Sequence, residues 1–481
     1  MILSNLFWKF SERILAQGVS FIVTLILARI LLPEEFGIVA LVIIFIDVAN
    51  ALVTSGFNTS LIREKNADEL DFSSVFWFGL VFSILVYVLI YVGAVPFSKF
   101  YKMDMIVPVF RVMGIRIVIS SLNSVQHAYV ARNLLFKKYF ISTFFGTAFS
   151  AFAGIYLALN GYGVWALVCQ YLINTIIDTI VLLFTVDWKP KLMFSFERIR
   201  TLFSFGWKIM VDSLSSILQF NLRNFLIGKF YTAADLAYYT KAQSIPSLFL
   251  NNIGVSISSV LLPTMSNVSD DKEKIVNYLR KANKLETFII YPMLVGVILV
   301  AKEFVEIVLT SKWLPMVPYL QLHCLTCMTM ILMPSRNDAL KSIGRSDVLL
   351  KENTMVRIID ILFVVALISK TPYILMLSQF VTYVICLCLV VYNASVYNGY
   401  DYKLQFDDIK NSLIGCVFMI LIIRIISYIN LGCLSMLLLK IAVGAITYMA
   451  VSYLFHFDEL TIVLNIVRKF FNAFGSKHNM L

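Results

Sequence analysis

The sequence predicts an all-α polytopic membrane protein of about fourteen transmembrane helices, arranged as two parallel-repeat six-helix lobes plus a C-terminal helix pair. Three observations predict it. Of 481 residues, 59% are hydrophobic and only 14% charged, whereas a soluble domain averages roughly 45–50% and 25%. Apolar runs of about 20 residues, enough to cross a hydrocarbon core of about 30 Å, recur along the whole length. Basic residues gather in alternate connections, as the positive-inside bias requires. A transmembrane β-barrel would instead show short segments of alternating hydrophobicity.

The elements follow in order. After Lys9, Glu12 and Arg13 the first run enters a full-length span with no small-residue cleavage site, so no cleavable signal is expected. Helices are predicted near residues 12–32, 36–58, 72–97, 105–128, 139–160 and 162–186. A second series falls near 203–230, 236–264, 283–309, 315–342, 346–369 and 372–397, and a terminal pair near 410–430 and 432–456. Tight turns separate some of them, at Asn160–Gly163 and Asn430–Gly432, where Gly and Asn tolerate the backbone required. The longest breaks, 187–200 and 266–284, are too short for a soluble domain. The lobes are therefore read as 1–200 and 201–400, with 401–481 as the terminal pair and a cytoplasmic tail.

With the N-terminus in the cytoplasm, roughly 25 basic residues fall on the inner side and roughly 7 on the outer. The net charge of +11 is thus a topology signal. Nucleic acid is excluded as a partner, because no basic patch sits on a soluble fold.

An internal repeat supports the two lobes. "LARILLPEEFGIVAL" from Leu27 matches "LIGKFYTAADLAYYT" from Leu226 when shifted one place, an offset of 200 that aligns Arg29 with Lys229 and Glu35 with Asp235. A second set, offset by 213, aligns Ser98-Lys99-Phe100 with Ser311-Lys312-Trp313, Arg132 with Arg345 and Lys138 with Lys351. Six helices lie between partners, an even number, so the copies share one orientation.

Charges inside spans cost about 2.5–3.5 kcal/mol each on insertion scales and must face protein or water. The basic candidates for a cationic cavity are Arg29, Arg116, Arg223, Lys241 and Arg336. Arg111 and Lys208 lie near helix ends and can snorkel, as can Arg424 and Lys440. Arg336 and Asp338 are two apart on a helix and point away from each other. Amides such as Asn50, Asn123, Asn174, Gln219 and Asn221 accompany the cations. A wet cavity so lined attracts an anion, most plausibly a phosphate. Asp212 and Asp360, with Thr382, are candidates for binding a cation or carrying a proton, or else for helix–helix hydrogen bonds.

No cofactor is expected. The "HCLTC" stretch (His323–Cys327) contains C-x-x-C but has no second pair and lies in apolar surroundings, which suits buried thiols better than zinc. No phosphate-cradling glycine loop is present, so no ATPase is built in. Pro246, Pro263, Pro292 and Pro334 are expected to interrupt spans.

The landmarks "LARILLPEEFGIVAL…GFNTSLIREK", "YYTKAQSIP…LLPTMS" and "IVLTSKWLPMVPYLQLHCL" resemble those of bacterial polysaccharide-transporter proteins. These are the Wzx-type oligosaccharide flippases of the multidrug/oligosaccharidyl-lipid/polysaccharide exporter superfamily. The resemblance covers essentially the whole chain. It implies a non-enzymatic inner-membrane flippase that moves an undecaprenyl-diphosphate-linked oligosaccharide for O-antigen, capsule or exopolysaccharide synthesis. It also implies alternating access around a cationic cavity, coupling to a Na+ or H+ gradient, both termini in the cytoplasm, and membrane lipids and other polysaccharide-assembly proteins as partners. Arg29, Arg116, Arg223, Lys241 and Arg336 resemble the basic cavity residues in placement. Asp212 and Asp360 resemble the cation-holding acids of lipid II flippases, although Val356 stands where an asparagine is expected. The rival readings are a multidrug or cation-coupled exporter of the same fold, for which a carboxylate-rich cavity is expected, a lipid II flippase, and a membrane-embedded glycan polymerase or ligase, which needs a large outer loop.

Overall fold

A computed structural model describes residues 2–64, 66–429 and 431–465. Lys65, Arg468, Lys469 and Lys477, and the side chains of Lys9 and Arg13, lie outside the described residues, as does most of the tail. The described chain is helical throughout. The helices are α1 (Ile2–Ile30), α2 (Pro33–Arg63), α3 (Glu69–Tyr101), α4 (Ile106–Arg132), α5 (Phe136–Leu159), α6 (Val164–Thr185), α7 (Phe196–Phe230) and α8 (Ala233–Ser266). They continue with α9 (Lys272–Val308), α10 (Val317–Met330), α11 (Met333–Ser342), α12 (Ser346–Leu367), α13 (Pro372–Asn398), α14 (Tyr402–Ile426) and α15 (Cys433–Leu454). Eleven stretches are long and apolar enough to cross a membrane, with Ser311–Ser342 counted as one. The protein is a multi-pass membrane protein. The expected count of fourteen is not reached on that criterion, because α7 and α12 are diluted by Lys208, Asp212 and Arg223 and by Glu352, Arg357 and Asp360. In α1 only Ala16–Ile30 qualifies as an apolar stretch.

Helix ends are fixed by local chemistry. Asp68 and Asp71 cap α3 reciprocally, each carboxylate accepting from the other's backbone N–H at 3.0–3.1 Å. Ser195, Asp271 and Thr371 cap α7, α9 and α13 through their side-chain oxygens. In the α6–α7 connection, Lys138 Nζ lies 2.8 Å from Asp187, and that hydrogen bond holds the exposed carboxyl below its ordinary value. The outward faces are apolar: Phe152 and Phe184 are 74% and 86% exposed, the arrangement suited to lipid. Of the four prolines expected to interrupt spans, only Pro334 marks a break, between α10 and α11. Pro246, Pro263 and Pro292 lie inside continuous helices.

The chain forms two compact units, Met1–Ala237 and Tyr238–Leu481. In the first, α4 packs on α2, α3 and α6, and α5 packs on α1 and α6. Helix α7, placed by the repeat in the second lobe, lies along α2 and against α3 within this unit. In the second, α9 is the hub, touching α10, α11, α14 and α15, while α13 packs on α10, α11 and α12.

The repeat is visible in the helix junctions. Two residues separate α1 from α2 and α7 from α8. At the first, the Leu32 N–H donates to Glu35 Oε2 at 2.7 Å. At the second, the Thr232 N–H donates to Asp235 Oδ2 at 3.1 Å.

Candidate functional site

Helix α7 runs antiparallel to α2 and is pinned to it near both ends. At one end, Phe45 meets Phe225 with ring centroids 4.7 Å apart, and a Cβ on Gly228 would touch Leu41. At the other, the backbones touch: a Cβ on Gly56 would lie 2.7 Å from the carbonyl oxygen of Gly206, a contact open only to glycine. Ser60 Oγ donates to the Leu202 carbonyl at 3.0 Å just beyond.

Between these pins the two helices differ in length. Phe45 to Gly56 is 11 steps along α2, whereas Gly206 to Phe225 is 19 along α7. At 1.5 Å per residue, α7 carries roughly 12 Å of surplus helix, so it cannot lie flat on α2 there. The result is an open cleft of about 480 Å³, lined by Asp47, Asn50, Ala51, Thr54 and Ser55 from α2 and Ser216, Ile217, Phe220 and Asn221 from α7. Its lining is rich in hydroxyls and amides, and Phe220 is 74% exposed. The Oδ1 of Asn50 is buried without a hydrogen-bond partner.

Arg116 reaches this cleft from α4. Its Nη1 lies 3.8 Å from Asp47 Oδ1, its Nε donates to Thr175 Oγ1 at 3.2 Å, and its guanidinium sits 5.6 Å from the Tyr171 ring centroid. The Asp47 side chain is 47% exposed, so the pair is partly wet. Deeper in the same unit, Asp178 of α6 accepts from Asn123 Nδ2 at 2.9 Å and faces His127 Nε2 at 2.9 Å.

The other predicted residues fall in different settings. Arg29 is exposed in the last turn of α1. Arg223 is buried on α7, two positions past the cleft-lining Asn221 and therefore on another face. Lys241 is half-buried on α8 in the second unit. Asp212 is exposed on α7, in the first unit. Asp360 and Thr382 are both buried in the second, on α12 and α13, and Thr382 Oγ1 donates to the Ser378 carbonyl at 3.0 Å. His323, Cys324 and Cys327 are buried, and no group of three His, Cys, Asp or Glu side chains able to hold a metal occurs among the described residues.

Arg336 sits in a closed setting. It is 1% exposed and lines no wall open to water. Its Nε donates to Gln405 Oε1 at 3.1 Å, and its Nη1 donates to Asn283 Oδ1 at 3.1 Å and to the Leu332 carbonyl at 2.5 Å. The last of these sits at the break between α10 and α11. The cost of burial is offset here by three hydrogen bonds to protein acceptors. Asp338 points elsewhere, to Ser258 and to Lys341. Lys440 is likewise no lipid-facing snorkel: it is buried and pairs with Glu303 of α9 at 2.6 Å.

Around Arg336 runs a polar string that residue-by-residue reading did not single out. Arg280 forks onto Asp408 with contacts of 3.0–3.2 Å, Tyr400 Oη donates to Asp408 Oδ2 at 2.7 Å, and Asn283 Nδ2 donates to Tyr400 Oη at 3.1 Å. Glu286 lies beyond, accepting from Ser335 Oγ at 2.7 Å. The available signal was the i, i+3, i+4 spacing of Asn283, Glu286 and Thr287, a polar stripe at the start of an apolar span.

Comparison with known proteins adds three findings. The profile of the family described as "Polysaccharide biosynthesis protein" matches residues 26–318. The succinoglycan biosynthesis transport protein ExoT of Rhizobium meliloti (strain 1021) is 23% identical over 322 residues, 67% of this chain and 65% of that protein. The lipopolysaccharide biosynthesis protein WzxC of Escherichia coli (strain K12) is 24% identical over 327 residues, 66% of this chain and 65% of that protein. The chain thus spans just under two thirds of the length of these relatives. Among solved structures, the lipid II flippase MurJ in an inward closed conformation superposes with a TM-score of 0.77 at 16% identity, covering 96% of this chain and all of that one. An inward-facing multidrug resistance MATE family transporter gives 0.59 at 15% identity, over 80% of this chain and 98% of that one. At these identities the likeness is one of fold.

Proposed function

Because the chain belongs to the polysaccharide biosynthesis protein family, we propose that it is a flippase for a lipid-linked oligosaccharide. In this reading it carries an undecaprenyl-diphosphate-linked glycan from the cytoplasmic to the periplasmic leaflet of a bacterial inner membrane, for O-antigen, capsule or exopolysaccharide synthesis. Its termini lie in the cytoplasm, and it moves its cargo by alternating access, without chemical conversion. The observation that carries this reading is the cleft between α2 and α7, a hydroxyl- and amide-lined opening with a guanidinium at its edge, inside an otherwise apolar spanning unit.

The chemistry of the cargo matches that opening. A diphosphate is a dense anion that a planar guanidinium grips with two parallel hydrogen bonds. Arg116 holds Asp47 loosely, at 3.8 Å, so an arriving phosphate has only a partly hydrated ion pair to replace. Arg29, Arg223 and Lys241 are the further cationic candidates, and Arg336 serves the second unit's interior instead. Asn50, Asn221, Thr54 and Ser216 suit sugar hydroxyls, and the exposed Phe220 ring suits the apolar face of a pyranose. The lipid tail stays in the bilayer beside α14 and α15. An ion gradient drives the cycle, with Asp212, Asp360 and Thr382 as the residues the sequence nominates for Na+ or H+.

Reconstitution tests it. Vesicles holding the purified full chain should expose a fluorescent undecaprenyl-diphosphate oligosaccharide to an impermeant reagent on the far leaflet. Arg116→Ala should slow that exposure at least about tenfold, a loss of ~1.4 kcal/mol in the barrier. Wild-type vesicles no faster than protein-free ones would refute the reading.

A further inference from the structure

We propose that Glu286 is a proton-binding site of the second unit. The proposal rests on the transport reading for its purpose, since it names the ion that drives the cycle, but the site itself stands on local geometry. Glu286 is fully buried on α9. One carboxyl oxygen accepts from Ser335 Oγ at 2.7 Å, and the other, Oε2, is buried with no hydrogen-bond partner. No ion pair to Glu286 occurs among the described residues. An ionised carboxylate so placed costs several kcal/mol, and a proton on Oε2 removes that cost.

The surroundings supply a polar neighbourhood and a lever. The guanidinium of Arg280 lies at the edge of the unit, its side chain 33% exposed. From it the chain of contacts runs through Asp408 and Tyr400 Oη to Asn283, one helical turn before Glu286 on α9. Serine and threonine hydroxyls continue the polar strip, with Ser412 Oγ 3.2 Å from Thr287 Oγ1. The charged and titratable groups that act on Glu286 are Arg336 and Asp338 from α11 and Tyr291 from α9; next to these lie Asp408 and Cys416 from α14 and Tyr448 from α15, whose hydroxyl donates to the Phe288 carbonyl.

Arg336 is the lever. In this structure it is spent on Asn283, Gln405 and the Leu332 carbonyl, which fastens the α10–α11 break. When the proton leaves Oε2 for water, the carboxylate becomes the strongest acceptor near the Arg336 guanidinium. Arg336 is drawn to it and releases the Leu332 carbonyl. Reprotonation reverses the exchange. No bond other than the O–H changes.

The test uses the full chain in bilayers and needs no cargo. Infrared difference spectra between acidic and alkaline buffer should contain a protonated-carboxyl stretch that is missing in Glu286→Gln. Coincident wild-type and variant spectra overturn the assignment. Should Glu286→Gln fail to fold, Ser335→Ala replaces it, and the stretch should shift as its hydrogen bond is lost; an unmoved band overturns the proposal equally. In the flipping assay, Glu286→Gln should reduce stimulation by a proton gradient about tenfold, and undiminished stimulation counts against the site. Failure of the transport reading looks different: wild-type vesicles flip no labelled lipid diphosphate while the infrared band still titrates.

Discussion

The two units handle intramembrane charge in opposite ways. In the first, Arg116 keeps a loose, half-hydrated pair with Asp47 beside an open cleft. In the second, Arg336 is sealed from water and its guanidinium is bound to two amide oxygens and a carbonyl. Both arginines carry the same price on insertion scales, one met by water and the other by protein acceptors. The lesson is that a charge in a span marks a constraint without saying which kind. A loosely held cation is available to a ligand, whereas one sealed in by protein acceptors is architecture.

Substitutions can break this contrast. The largest effect should come from Arg336→Ala, which strands the acceptors of Asn283 and Gln405 in the interior and should cost about 3 kcal/mol of stability, read as a lowered midpoint in a detergent melt. An unaltered midpoint would make Arg336 as dispensable as a surface residue. Next, Gly56→Leu forces apart two backbones in contact and should cost about 1–3 kcal/mol. Gly79→Ala, with open space around its Cβ, should be neutral or gain up to about 1 kcal/mol. Equal melts for the two would dismiss the pinning of α7. Arg116→Ala should change stability by less than about 1 kcal/mol, because its pair is long and partly wet, while depressing flipping. A matching loss of stability would place Arg116 with Arg336. The smallest effect belongs to Ser60→Ala, about 0.6 kcal/mol for one interhelical hydrogen bond, and a larger value would show the Leu202 contact to be a principal tie.

Much of the fold was legible in the sequence. Span length, the basic bias and the offset of 200 are one-dimensional signals, and the junctions at 31–32 and 231–232 reproduce the repeat down to the acid that caps each following helix. The site was legible only in part. Arg116 was found because an isolated charge in an apolar run stands out. Asp47 becomes its partner only because α2 meets α4. The cleft was invisible, because it arises from unequal spacing between contacts that no single helix contains. Glu286 was passed over because it sits near the predicted start of a span, where an acid looks like an end residue. His127 gave no signal alone and acquires meaning only beside Asp178.

The reciprocal bonds at residues 32–35 and 232–235 have a mechanical consequence. Each joint is fastened from inside its own four residues, by a carboxylate returning to the preceding amide. A helix that swings about such a joint keeps this bond, because both of its partners lie within the joint. Rigid rods linked by self-locking knuckles can turn as bodies without unwinding at their corners.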